Sequence, residues 1–452
     1  MPIINKREKQ PNPARTLIIS LFTVIAIGTV LLIFPFSSKG GRWTDIITCL
    51  FTAVSATSVT GITLVDTFSH WNMFGQAVIM LMIQIGGLGL ITIVTFFNYA
   101  MGRKMGLMRA TAIADEVSVS GIVGARRLFI RIVKYTLGIE LAGALILGFT
   151  FVPDLGAYGV FAAVFIAVSA FCNAGFDVLS AGGEGFSLTS YSDKPQVLLV
   201  LAALIFLGGI GFVVWDNLAS YRKTKKLLMH TKLVLAVSGI MILVGFVSYL
   251  IVTLIDTPKY GDMGLGERLL SCLFASFSAR TAGFSVADLP TANDFAKLAT
   301  IMLMFVGAAP GSTAGGTKVT TIALLIATVI SVIKGREDAS IFKHRIPKKL
   351  IYKSLTVTVL SMGFIMISFA CIYLLNPELK ELDILYEVVS AFTTTGYSAG
   401  ISGVTNVASK LILCFTMFVG RIGPVSLLLS FAGDKTDGDK NKILPECELL
   451  IG

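Results

Sequence analysis

The sequence predicts an all-α polytopic membrane protein in which four parallel helix–pore loop–helix repeats surround a central ion pore. Three observations carry that expectation. Hydrophobic residues make up 54% of the 452-residue chain and charged residues only 14%, well below the roughly 25% of soluble domains. Apolar runs long enough to cross a hydrocarbon core, which takes about 20 residues, recur along the whole chain. Between the members of each pair of runs, a shorter apolar stretch ends in a polar phrase bearing a glycine, and this unit occurs four times.

The elements follow in order. Lys6, Arg7, Lys9 and Arg15 precede an apolar run from Leu17 to Phe36. No small-residue cleavage site follows it, so it reads as a retained first helix rather than a signal peptide. Spanning helices are expected near 16–36, 73–99, 130–152, 196–219, 232–255, 298–330, 351–375 and 408–431. The stretches 45–57, 158–171, 267–279 and 384–393 are too short to span and fit re-entrant segments that turn back within the membrane. Each leads into a phrase: TSVTGIT at 57–63, FCNAGFD at 171–177, ARTAGFS at 279–285 and FTTTGYS at 392–398.

Aligned on Gly61, Gly175, Gly283 and Gly396, the phrases lie 114, 108 and 113 residues apart. A second match follows each: IGGLG from Ile85, LGGIG from Leu207, VGAAPG from Val306 and VGRIG from Val419. Each unit crosses twice, so all four share one orientation, a parallel rather than an inverted repeat. The units are expected at 1–100, 101–219, 220–333 and 334–433, with a cytoplasmic tail at 434–452.

Charge orients the array. The stretches 1–15, 101–134, 216–232, 334–353 and 434–452 carry 26 of the 37 Lys and Arg residues. They mark the cytoplasmic side of a plasma-membrane protein with both termini inside. The other face nets −7 against +15 for the cytoplasmic face, so the phrases sit at an acidic mouth that attracts cations. Orientation alone accounts for the basic loops and a pI near 9.3, so nucleic-acid binding is not needed.

Non-helical backbone at membrane depth is tolerated where it lines a cavity, and a ring of carbonyls can replace the water shell of a monovalent cation, as in potassium-channel filters. Glycine supplies the positive φ that such a loop needs. The expected lining is backbone oxygen from Val59, Thr60 and Gly61, from Asn173, Ala174 and Gly175, from Thr281, Ala282 and Gly283, and from Thr394, Thr395 and Gly396. Thr and Ser hydroxyls support the loops from behind. The phrases hold one glycine each rather than a TVGYG tract, which implies fewer stacked sites. No carboxylate lies in the ring, so a divalent cation is poorly compensated; Asp177 adds field at the mouth.

Two features below the ring read as gates. The run GAAPGSTAGGTK, with Gly307, Pro310, Gly311, Ser312, Thr313, Gly315, Gly316 and Lys318, cannot hold a regular helix and is expected to form an unwound loop that obstructs the pore. It lacks the G-K-[ST] order of a phosphate-binding loop. Arg421 stands in the column held by Gly87, Gly209 and Ala308 in the other units, and a permanent cation at that depth raises a barrier to cations. Arg280 is expected to brace its loop from outside the axis.

The rest of the composition narrows the function. The six cysteines form no CxxC pair and read as small apolar residues, and the three histidines are scattered. No G-x-G-x-x-G follows a strand, so no nucleotide site is expected on this chain. No HExxH, paired carboxylates or nucleophile cluster lies in the spans, so it reads as no enzyme.

Four helix–pore–helix units with single filter glycines resemble the Trk/Ktr/HKT superfamily of cation transporters, over about residues 15 to 431. The absence of helices before the first unit and the ending PECELLIG resemble the KtrB-like membrane subunit. A glycine in all four phrases is similar to potassium-selecting members. The resemblance implies potassium uptake, often stimulated by sodium, by a homodimer with one pore per subunit, and a separate cytoplasmic ring of nucleotide-binding RCK subunits as regulator. It also implies a gating role for the 307–318 loop and for Arg421. Beside membrane lipid, these are the expected partners. The alternatives are a sodium-preferring or weakly selective monovalent cation transporter and an alternating-access carrier.

Overall fold

The computed structural model describes residues 13–89, 122–179, 188–261, 263–336 and 338–431. The tail 434–452 and the latter part of the expected 73–99 span lie outside the described residues. The fold is almost wholly helical. Its main helices are α1 (Pro13–Ile33), α2 (Ile46–Ser58), α3 (Met73–Leu88), α4 (Ile122–Leu155), α5 (Ala157–Cys172), α6 (Pro195–Gly209), α7 (Phe212–Thr224), α8 (Met229–Ile255), α9 (Leu265–Thr281), α10 (Asp294–Phe305), α11 (Val319–Ile333), α12 (Lys348–Leu375), α13 (Glu381–Thr393), α14 (Val407–Ile422) and α15 (Pro424–Phe431). A two-residue hairpin, Ser340–Ile341 with His344–Arg345, lies between α11 and α12.

Local chemistry sets the starts. Asp45 caps α2 by accepting from Ile47 and Thr48 N–H. Asn72, Asn293 and Asn406 cap α3, α10 and α14 in the same way, and Pro195 opens α6 where its missing N–H costs nothing. The long helices α4, α8 and α12 turn apolar side chains outward, among them Leu145, Phe149, Leu243, Leu254, Met366 and Leu374. Such apolar surface suits lipid.

The short stretches expected to be re-entrant form α2, α5, α9 and α13 close to their expected bounds. Three of the expected continuous spans do not form. Helix α3 ends at Leu88, before Gly89 at φ 79°. Between α6 and α7 the chain bends by 98° at Ile210–Gly211. The 408–431 run stops at Gly423, φ 87°, and restarts at Pro424. Backbone in the left-handed region cannot propagate a right-handed helix. Among the described residues, three helices are therefore long and apolar enough to cross unaided, and the α6–α7 pair makes a bent fourth. The 298–330 run splits at 306–318, where an unwound loop was expected.

Packing follows a closed order. Helix α3 packs on α5, α6 on α9, α10 on α13 and α14 on α2. Each unit thus lays its second helix against the next unit's short helix, and the last returns to the first. In units one, two and four, small residues also bring the second helix close against the short helix of its own unit. A β-carbon on Gly86, Gly208 or Gly420 would fall 2.0, 1.8 and 1.8 Å from the carbonyl oxygens of Thr57, Phe171 and Phe392.

Candidate ion pathway

The site is built at the C-terminal ends of the four short helices. Three end on a left-handed residue that is not glycine: Val59 (φ 60°), Asn173 (φ 60°) and Thr394 (φ 53°). The third does not, since Thr281 is still helical and Ala282 has φ −112°. The reason is a deletion legible once the phrases are aligned on their shared Ser-Ala. Ser55, Ser169 and Ser390 each lie six residues before the glycine, but Ser278 lies five before Gly283. The third phrase lacks the left-handed residue itself.

These serines anchor the loops. Ser55 and Ser390 hydroxyls accept from Gly61 and Gly396 N–H at 3.0 and 3.1 Å. Ser169 and Ser278 instead donate to the carbonyls of Phe176 and Phe284 at 2.8 and 2.6 Å. The expected support by hydroxyls is therefore specific to the Ser-Ala serines, with Thr60 and Thr395 joined to Ser58 and Thr393.

The four glycines meet in a circle. All have positive φ, between 69° and 97°. A β-carbon on Gly61 would lie 2.3 Å from the Ala174 carbonyl oxygen, on Gly175 2.3 Å from that of Ala282, on Gly283 2.3 Å from that of Thr395, and on Gly396 2.2 Å from that of Thr60. Each glycine therefore faces the carbonyl just before the next unit's glycine. All four line one cavity of about 780 Å³.

The cavity's charge is mainly acidic. Asp66, Asp177 and Asp288 line it with Lys259 and Lys297. Lys259 pairs with Asp288 at 3.2 Å, and Lys297 is ion-paired to Asp383. Asp177 accepts from Leu179 and Leu188 N–H at 2.7 and 2.8 Å, while burial pushes its carboxyl up to about 6.

Below the ring, the 306–318 loop inserts between units two and four. Ala309 and Thr313 N–H donate to the Gly209 and Gly208 carbonyls, and Phe212 N–H donates to Gly311. Thr313 Oγ1 donates to the Phe171 carbonyl and accepts from Asn173 Nδ2, at 3.1 and 2.9 Å. Gly315 N–H donates to Thr394 Oγ1 at 3.1 Å. Lys318 Nζ folds back on the Ala314 and Gly315 carbonyls. Arg421 bridges the same space: its guanidinium donates to the Thr313 carbonyl at 2.5 Å and to that of Gly86. Arg280, buried, donates to Ser238 Oγ and the Gly307 carbonyl at 3.2 and 3.3 Å, so it ties α8 to the start of the loop.

Two buried acids had no role in the sequence reading, which noted only that Glu140 lies within a helix. Glu387 of α13 accepts from Ser398 Oγ and Ala399 N–H, each at 2.9 Å, and from Ser402 Oγ, clamping the chain as it leaves the fourth phrase. Its signal was an acid placed mid-helix, past the first-turn Glu381 and Asp383, in an apolar stretch followed by serines. Glu140 of α4 accepts from Gln84 Nε2 at 3.2 Å, joining the first two units.

Residues 8–439 match the family described as TrkH, cation transport protein. The chain is 32% identical over 461 residues to the potassium/sodium uptake protein NtpJ of Enterococcus hirae, covering all of both chains. It is 35% identical over 442 residues to the Ktr system potassium uptake protein B of Bacillus subtilis, covering 97% of each. It is also similar to the crystal structure of the potassium transporter TrkH from Vibrio parahaemolyticus, with a TM-score of 0.72, 16% identity and coverage of 95% of this chain and 86% of that one. The chain belongs to the TrkH family of membrane cation transport proteins.

Proposed function

We propose that this family member carries potassium into the cell through a pore on the axis shared by its four units, 1–100, 101–219, 220–333 and 334–433. The observation that carries the reading is the closed circle of glycines, each against the next unit's carbonyl, at the floor of one acidic cavity. Backbone oxygens of Val59, Thr60 and Gly61, Asn173, Ala174 and Gly175, Thr281, Ala282 and Gly283, and Thr394, Thr395 and Gly396 replace the ion's water. The mouth concentrates cations before they reach the ring.

The loop 307–318 and Arg421 gate the path. The loop fills the space under the ring, and Arg421 holds it there through the Thr313 carbonyl while adding a positive charge. Potassium uptake by relatives from Enterococcus hirae and Bacillus subtilis supports the choice of ion. Stimulation by sodium, a homodimer with one pore per subunit, a cytoplasmic nucleotide-binding regulator and a plasma-membrane orientation with both termini inside complete the proposal. The Ktr system names of the relatives support a multi-subunit assembly.

The test is uptake into a bacterial host lacking its own potassium transporters. The chain restores growth at low potassium, and Gly175→Ser abolishes the selectivity of that uptake. Equal uptake by host and transformant would sink the proposal.

A further inference from the structure

Thr313 stands out among the loop residues. Its backbone N–H donates to Gly208, its carbonyl accepts from Arg421, and its hydroxyl both donates to Phe171 and accepts from Asn173. Asn173 is the left-handed residue of the second phrase. Its Oδ1 accepts in turn from Thr281 Oγ1 of the third phrase, at 3.2 Å. On the opposite side Gly315 N–H donates to the hydroxyl of Thr394, the left-handed residue of the fourth phrase. Asn173, Thr281, Thr313 and Thr394 are all buried. A buried amide or hydroxyl deprived of its partner drives local rearrangement until it finds another.

From these contacts we infer that Asn173 and Thr394 are positioning residues through which the seated loop holds the ring in its discriminating geometry. The inference rests on the transport reading above and goes beyond it. A loop that merely plugs the path leaves the ring unchanged when it withdraws. This loop takes with it the shorter of the two bonds donated by the Asn173 amide, leaving the one to the Phe171 carbonyl at 3.4 Å, and a donor to Thr394. Those residues carry backbone strain that only surrounding contacts maintain. Seating of the loop and discrimination between ions are therefore one equilibrium. By linkage, the ion that best fits the ring also favours the seated loop.

The sequence shows why the arrangement is asymmetric. The first phrase has Val59 at the left-handed position, with no side-chain donor or acceptor, and the third phrase has no such residue at all. The two units that flank the loop are the two with polar side chains there.

The experiment uses the full chain in proteoliposomes, with potassium and sodium flux measured side by side. Thr313→Val removes the hydroxyl and keeps the backbone contacts. Expected is a rise in total cation flux together with a fall of about threefold or more in the potassium-to-sodium flux ratio, the scale of one lost hydrogen bond. Thr313→Ser keeps both at wild-type values. Thr394→Val, rescued by Thr394→Ser, repeats the result from the other side and decides the matter if Thr313→Val fails to fold. More flux at an unchanged ratio in Thr313→Val or Thr394→Val overturns the coupling and leaves the transport reading standing. No potassium flux in the wild-type chain overturns both.

Discussion

Replacing Gly175 by alanine probes the ring at one atom. The added β-carbon meets the Ala282 carbonyl oxygen at 2.3 Å, where an unstrained carbon–oxygen contact needs about 3.3 Å. The carbonyl must retreat by roughly 1 Å, because the other party is backbone and has no rotamer to change. Holding an L residue at φ 69° costs about a further 1–2 kcal/mol. A contact between a carbonyl and an ion is comparable to a hydrogen bond to a charged group, about 1.5–3 kcal/mol. Losing one such contact reduces potassium selection by roughly tenfold or more, at about 1.4 kcal/mol per decade. Because a β-carbon at Gly61, Gly283 or Gly396 meets a carbonyl at the same distance within 0.1 Å, all four alanine variants share the defect. The assay is the potassium-to-sodium flux ratio in proteoliposomes, with thermal stability as a check on folding. A folded Gly175→Ala protein with the wild-type ratio refutes the reasoning, and so does a ratio lost at one glycine but kept at the other three.

Other perturbations have defined outcomes. Arg421→Ala removes a positive charge and the tether to Thr313, so cation flux rises by at least about tenfold; unchanged flux in vesicles speaks against the barrier. Asp177 has its carboxyl raised to about 6, so it is charged at pH 7 and loses that charge as pH falls through 6. Uptake at low external potassium therefore drops about two- to threefold between pH 7 and pH 5, beside Asp66 and Asp288, and the drop is absent in Asp177→Asn. The raised value also means that protonation relieves a buried charge, so the Asp177 contribution to stability improves as pH falls. Glu387→Ala orphans the buried Ser402 hydroxyl, at about 1–3 kcal/mol, and two half-buried donors, Ser398 Oγ and Ala399 N–H, that cavity water partly satisfies. Its thermal midpoint falls by several degrees, and Glu387→Gln, which keeps an acceptor, falls less; equal midpoints for the alanine variant and the wild type contradict the clamp.

Much of this protein could be read along the chain. Hydropathy marked a membrane protein, because the bilayer requires long runs of apolar side chains wherever helices cross it. The short helices α2, α5, α9 and α13 appeared near their bounds, since apolar runs of that length stand apart from the longer ones on either side. The unwound 307–318 loop was legible because proline and clustered glycines forbid a helix locally. In contrast, the breaks at Gly89, Gly211 and Gly423 were hidden, since single glycines inside apolar runs look like tolerated helix residues. At Gly211 a neighbouring unit's loop presses on the break, since a β-carbon there would meet the Pro310 carbonyl oxygen at 2.7 Å. The cyclic order of the glycines, the partners of Thr313 and Arg421, and the Glu387 clamp join residues as many as 335 positions apart. The sequence by itself determined the membrane class, the short apolar helices and the glycines that follow them, since these follow from side-chain hydrophobicity and backbone freedom residue by residue. Only the tertiary structure decided which carbonyl each glycine faces and which hydroxyl holds the loop, because hydrogen bonds select partners by distance and angle once the units have packed.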